Sequence, residues 1–335
     1  MTPQLSVVLP ARNAEGTIAR AIESCLHQGF AGFELLVVLN GCSDGTARIV
    51  QELAVTDPRV KVLESSLTGG VAEAMELGVE SADAAIVARM DADDVSLPGR
   101  FEAQWGMLQN NPEIDVVSCR VELRDALGEG MRRYVDWVNG LDSPEAVARE
   151  RFVECPVIQP SLMMRKEAIE AAGGYRIQSW AEDHDLFLRM LERGVRFGKV
   201  PESLFQWQDH AQRLTRTHEA YAEEQVWRMK AHYLARLPMV TARGVALCGA
   251  GPIGKRLGRL LLAEGIRLHG YFEVNPRRVG ETINEVPVAG PGEFGGRWRE
   301  AVLLSAVGVA GGRGRVRGLA QSAGYEEGRD FFAVC

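Results

Sequence analysis

Four short apolar runs, each stopped by turn or polar residues, constrain this chain most. They are "LSVVLP" (5–10), "FELLVVLN" (33–40), "VKVLES" (60–65) and "AAIVARM" (84–90). Between them lie segments of helical period. "EGTIARAIESCLHQ" sets Ile18, Ile22 and Leu26 on one face, Ile49, Val50 and Leu53 form a second, and "VAEAMELGV" a third. Continuous apolar runs suit strands buried on both faces, and alternation with amphipathic helices predicts a mainly parallel sheet covered on both sides. Ligands of such sheets collect beyond the carboxyl ends of the strands. Three polar clusters fall there: "PARNAE", "LNGCSDGT" and "DADD". The last sets Asp91, Asp93 and Asp94 within four positions. Carboxylates this close repel and need a cation or water. The pattern fits either an acidic surface turn or a divalent-metal site.

At 335 residues the chain has room for two domains, and 46% hydrophobic with 25% charged residues is ordinary globular composition. It has no apolar run of about 18 residues, so no membrane span is expected. Its start lacks the pattern of a signal peptide. Six cysteines without paired spacing point to a reduced, cytoplasmic protein. Peripheral attachment at the inner membrane face stays compatible with that. A net charge of −7 argues against a nucleic-acid partner. From Arg243 onward, however, 13 Lys+Arg outnumber 9 Asp+Glu. "PM" (238–239) breaks a charged amphipathic helix expected over 218–236, whose Val226, Met229, Tyr233 and Leu234 need covering. Then "RGVALCGAGPIGKRLGRLLLAEG" restarts as strand, glycine turn and helix. The expected domains are therefore 1–240 and 241–335. After Asp94, Ser96 and Pro98 fit a helix start, with Phe101, Trp105 and Leu108 as its apolar face. The stretch 113–215 reads as shorter strands and less regular helices.

Residues 4–235 resemble the family 2 glycosyltransferases through five stretches in the family's order: "VVLPARNAEGTIARAIESCL", "LLVVLNGCSDGT", "VARMDADDVSLPGRFEAQ", "QPSLMMRKEAIEAAGGY" and "WAEDHDLFLRMLERG". The resemblance implies a GT-A fold, a nucleotide-diphospho-sugar transferase sheet. It also implies transfer of a sugar from a nucleotide-sugar donor to a saccharide or lipid-linked hydroxyl acceptor, with Mg²⁺ or Mn²⁺ as cofactor and inversion at the anomeric carbon. Asp93 is then the direct metal ligand, and Asp91 contacts ribose or metal-bound water. Asp94 is left to cap the turn. Asp183 of "AEDHD" is the base, with helix capping as its structural alternative. Pro10, Arg12, Asn13, Glu15, Asn40 and Asp44 would line the donor nucleotide. Gln159, Glu182, His210 and Arg213 would face acceptor or phosphate, with Gly174 and Tyr175 near the acceptor and Trp180 either stacking on a sugar or part of the core. An aspartate often precedes the position of Asn40 in the family, and Leu39 stands there. A UDP or dTDP donor remains the expectation.

In the C-terminal part, Gly249, Gly251 and Gly254 lie between a strand and a helix, and Glu273 ends the next strand where a ribose-binding acid belongs. This predicts a small Rossmann-like α/β domain, either ligand-binding or purely structural. Other classes stay in view: a catalytically silent nucleotide-sugar-binding protein, and an NAD(P)-linked enzyme acting through the C-terminal module. A nucleotidyltransferase should show a Gly-rich first loop followed by Arg, where this chain has "PARNAEG". Homo-oligomerisation is left open by the sequence.

Overall fold

The structure, a computed structural model, describes residues 2–65, 70–125 and 127–335. The chain divides into two compact units, residues 1–147 with 156–217, and residues 148–155 with 218–335.

The first unit is built on eight strands: β1 Leu5–Ala11, β2 Phe33–Asn40, β3 Val60–Ser65, β4 Ile86–Arg89, β5 Val95–Ser96, β6 Val116–Arg124, β7 Met163–Arg165 and β8 Phe197–Gln208, in the spatial order β3-β2-β1-β4-β7-β6-β8-β5. The apolar runs become strands because both faces are covered. All eight residues of β2 are buried, and each buried Val or Leu side chain contributes about 1.5–3 kcal/mol. Strands β1, β2, β3 and β4 are parallel, with Val8 beside Arg89 and Ala11 beside Leu39. The chain therefore leaves β1, β2 and β4 on one edge, where the three polar clusters follow. Strand β7 runs antiparallel to both β4 and β6, so the sheet changes direction beside the aspartates. Helices Ile18–Leu26, Thr46–Thr56 and Val71–Glu80 cover the parallel half. A Cβ at Gly78 would fall inside contact distance of the Val8 side chain, so the glycine lets the third helix lie close on β1.

Two expectations are corrected here. Strands β6 and β8 have 9 and 12 residues, the longest in the unit, because they pair with each other along their length and a register shift at Arg120 absorbs an irregularity. Ser96 does not cap a helix. It belongs to β5, paired antiparallel with β8, and the helix Arg100–Asn110 starts behind a left-handed Gly99 (φ 85°). Its buried face is Arg100, Phe101, Gln104 and Leu108, with Trp105 only partly covered.

The second unit holds β9 Val245–Cys248, β10 Leu268–Phe272, β11 Thr282–Ile283, β12 Val286–Ala289, β13 Val302–Ser305 and β14 Phe331–Ala333, in the order β11-β12-β10-β9-β13-β14. All neighbours are parallel except β11 with β12. Helix Glu223–Ala235 packs on helix Pro252–Ala263 and buries Met229, Tyr233 and Leu234, with Val226 half-covered. The compact unit thus begins at His218, one helix ahead of a division at residue 240. It also takes in 148–155. Buried Lys230 donates to the Val153 carbonyl at 2.8 Å, Phe152 meets Phe332 edge-on at 5.9 Å, and buried Glu150 accepts from Arg317 at 2.6 Å.

Candidate active site

The loops after β1 and β2 are laced together by their own polar side chains. Asn13, at φ 49°, accepts the Ser43 N–H at 2.8 Å. Asp44 accepts the main-chain N–H groups of Thr46 (3.0 Å) and Glu15 (3.1 Å), and Glu15 accepts that of Gly45 at 2.8 Å. Hydrogen bonding, first of all from Thr46, holds the Asp44 carboxyl below its ordinary range. These side chains shape the two loops, while Arg12 is exposed and Pro10 partly exposed on the same edge. Asn40 is buried and donates to the Gly70 carbonyl at 2.7 Å.

The acidic turn leaves β4 with three different solutions to its repulsion. Asp91 is held by Arg89, through Nε at 2.9 Å and Nη2 at 3.4 Å. Asp93 meets His210 Nε2 at 2.8 Å, both side chains being about one-third exposed (32% and 35%). Asp94 is buried and accepts the main-chain N–H of Gln208 at 2.8 Å. It therefore fastens the end of β8 instead of capping its own turn. Burial, then the neighbouring Asp93 and Asp91, pushes its carboxyl well above the usual range. Arg213 stacks on Trp207, 3.9 Å from the ring centre, and donates to the Gln208 carbonyl at 2.9 Å.

Asp183 lies in the first turn of helix Glu182–Glu192. It is half-buried between buried Glu182 and His184, and its Oδ1 accepts the His184 N–H at 2.7 Å. Burial first, then Glu182, raises its pKa to about 6, against the opposing pull of Arg89 and His184. Gln159, in the 3₁₀ turn Gln159–Ser161, donates to the Asp183 carbonyl at 3.1 Å. Trp180 is fixed by a 2.8 Å bond to Asp185, which also accepts from Arg189 at 2.8 Å. Gly174 has φ 66°, and the next residue, buried Tyr175, gives its N–H to Glu76 at 2.6 Å.

Among the buried polar residues that the sequence reading did not single out are Arg89, Arg100 and Gln104. A signal existed for one of them. Gln104 falls three residues after Phe101 and four before Leu108, a polar residue on a core-facing stripe.

In the second unit, Gly249 has φ 102°, and a Cβ at Gly254 would collide with the Gly249 carbonyl, so backbone geometry and packing require both. Beside Gly251 the space is open. Glu273 accepts the N–H groups of Ala250 at 3.0 Å through one oxygen and of Val274 (2.8 Å) and Asn275 (3.0 Å) through the other.

A curled, parallel-rich sheet with these strand-end clusters is the GT-A glycosyltransferase fold. The solved structure of S. aureus TarS with UDP-GlcNAc matches it at TM-score 0.60 and 16% identity, over 78% of this chain and 72% of that one. The mannosyltransferase PcManGT of Pyrobaculum calidifontis, solved with GDP-Man and Mn²⁺, matches at TM-score 0.54 and 20% identity, over 79% and 69%. In sequence, the O-antigen biosynthesis glycosyltransferase WbnJ of Escherichia coli is 30% identical over 227 residues, 65% of this chain and 85% of that one. Residues 6–173 match the family model for glycosyl transferase family 2, and the chain belongs to that family: it is a glycosyltransferase using a nucleotide-sugar donor.

Proposed function

We propose that the protein transfers a sugar, with inversion and with the help of a divalent metal, from a UDP- or dTDP-type donor to a hydroxyl of a saccharide or lipid-linked acceptor. The observation that carries this reading is the pairing of a strand-end acidic turn with a half-buried carboxylate of raised pKa. Asp183 at about 6 is largely ionised at neutral pH yet basic enough to take a proton. The acceptor hydroxyl attacks the anomeric carbon and its proton passes to the Asp183 carboxylate. The bond from that carbon to the diphosphate oxygen breaks, and one displacement inverts the centre.

The residues at the β4 end fit a hard cation. Asp93 and His210 converge within 2.8 Å and both reach solvent. Asp93 would hold Mg²⁺ or Mn²⁺ directly, with His210 beside it and Asp91 at ribose or a bound water. Among the described residues no group of three or more His, Cys, Asp or Glu side chains could hold a metal. Donor phosphates and water must then complete the shell, as such cations prefer. When bound, the ion supplies positive charge to the departing diphosphate. The Asp91–Arg89 pair leaves Asp91 partly neutralised, which suits the outer role.

Asn13, Glu15 and Asp44 act by shaping the nucleotide loops, and Pro10, Arg12 and Asn40 border the nucleotide. Gln159 and Glu182 frame the base. Arg213, whose charge pulls against the upward shift of the Asp94 carboxyl, lies near the acidic turn on the β8 side. The relatives differ in base, TarS with UDP-GlcNAc and PcManGT with GDP-Man, so a donor panel decides it. Nucleotide release from UDP-, dTDP- and GDP-sugars with Mn²⁺ tests the assignment. Turnover confined to a uridine or thymidine donor supports it, and turnover of a GDP-sugar alone overturns the base.

The C-terminal unit is Rossmann-like in its strand order and serves packing. The Glu273 carboxylate binds three main-chain N–H groups and so shapes the turn after β10. No disulfide joins any of the six cysteines, and no described helix is long and apolar enough to cross a membrane. These features suit a cytoplasmic enzyme working at the inner face of a membrane when its acceptor is lipid-linked.

A further inference from the structure

Arg100 is 0% exposed. Removing a guanidinium from water costs several kcal/mol, and an apolar residue of similar volume would usually fill the space at lower cost. Arg100 is retained with its donors satisfied. Nε donates to Gln104 at 3.0 Å, Nη1 to the Ser96 hydroxyl at 2.9 Å, and Nη2 to the carbonyls of Arg89 at 2.9 Å and Pro160 at 3.0 Å. None of these acceptors is a carboxylate. Gln104 extends the grip, donating through one amide nitrogen to the carbonyls of Ser161 (2.7 Å) and Val117 (2.9 Å).

Nη2 also reaches the Leu162 carbonyl at 3.4 Å, and its two nearer carbonyls have a meaning in the chain. Arg89 ends β4, two residues before Asp91. Pro160 follows Gln159, which donates to the Asp183 main chain. A planar fork can hold two backbone segments at a fixed separation, which a flexible ammonium cannot do as well. We propose that Arg100, with Gln104 one turn on, is a positioning residue that locks the Asp91–Asp93 turn to the Gln159 turn and so sets donor against base. This rests on the transferase reading above. The fold alone would ask only for filled volume and a stable helix. Alignment asks for the fork itself.

The test uses the full chain with Mn²⁺ and whichever panel donor the wild type turns over. Arg100→Lys keeps the charge and loses the fork, and Gln104→Ala keeps the guanidinium and loses the second grip. Transfer kcat, donor KM, the ratio of donor hydrolysis to transfer, and Tm are measured for each. A misplacement of about 1 Å costs roughly 100-fold in rate. We expect Arg100→Lys to lose about that much kcat and Gln104→Ala about a tenth as much, with donor KM within about threefold and hydrolysis favoured over transfer. Unchanged kcat and hydrolysis ratio in both variants would overturn the proposal. So would a lowered Tm with transfer per folded molecule intact. If Arg100→Lys does not fold, Gln104→Ala decides by the same readouts. A wild-type chain that transfers from no donor overturns the transferase reading, and this proposal falls with it.

Discussion

As the proposed base, Asp183 would tie chemistry to stability through one carboxyl. Its folded pKa of about 6 lies above the ordinary 3.8. Transfer should therefore fall along an acid limb centred near pH 6, measured as kcat/KM against pH. Asp183→Asn should remove about 100-fold or more of the activity. The stability effect has the opposite sense. A raised carboxyl favours the folded state while protonated, and that advantage is lost as pH climbs through about 6. Asn keeps a carbonyl for the His184 N–H. Asp183→Asn should thus raise stability by about 1–2 kcal/mol at pH 8 relative to pH 4, a discounted share of the roughly 1.4 kcal/mol per pK unit. Paired thermal melts at the two pH values read it, and equal shifts at both would exclude a raised pKa. The three aspartates at the β4 end look alike in sequence. Folding gives one a guanidinium, one an imidazole and one a backbone N–H. Their crowding was legible. Their separate partners were not, because His210 and Gln208 lie more than a hundred residues on, and nothing in the sequence singles out Arg89 for Asp91.

At the scale of elements, strands β1 to β4 and their helices follow directly from apolar runs and helical period. Strand β8 did not, because Pro201, Glu202 and Ser203 interrupt its pattern and only pairing with β6 carries it through. Gly78 is a second case. A glycine inside a helix reads as a loss of about 1 kcal/mol relative to alanine, yet here alanine should be worse. Its Cβ would press on Val8 and Val38 in adjacent strands. Gly78→Ala is expected to destabilise by about 1–3 kcal/mol in urea unfolding. Adding Val8→Ala, which opens the space, should make the second substitution less costly than it is alone. Strict additivity of the two would exclude the contact as the cause.

For the whole molecule, the change in charge and the glycine turn after residue 243 marked a second α/β unit. The capture of 148–155 by that unit was invisible in sequence, since Glu150, Phe152 and Val153 meet partners near residues 230, 317 and 332. A chain ending at residue 240 would take Phe332 from Phe152 and Arg317 from Glu150. Such a truncation should lower the soluble fraction and the Tm of what remains. A soluble, fully active truncation would show that the unit is dispensable for packing and chemistry alike. No NAD should copurify with the intact protein, because three of the roughly four acceptor sites of the Glu273 carboxylate already hold backbone N–H groups, and stoichiometric NAD in the purified chain would contradict the packing role.

The central claim is that Asp93 holds the metal on which transfer depends. The most direct measurement compares wild type with Asp93→Ala, each with Mn²⁺ and with chelator, on the donor the wild type accepts, alongside thermal melts. The account predicts turnover that chelation abolishes in the wild type, turnover reduced by about 100-fold or more in the variant, and melting temperatures close together. Wild-type transfer that survives chelation, with Asp93→Ala equally active, would contradict it.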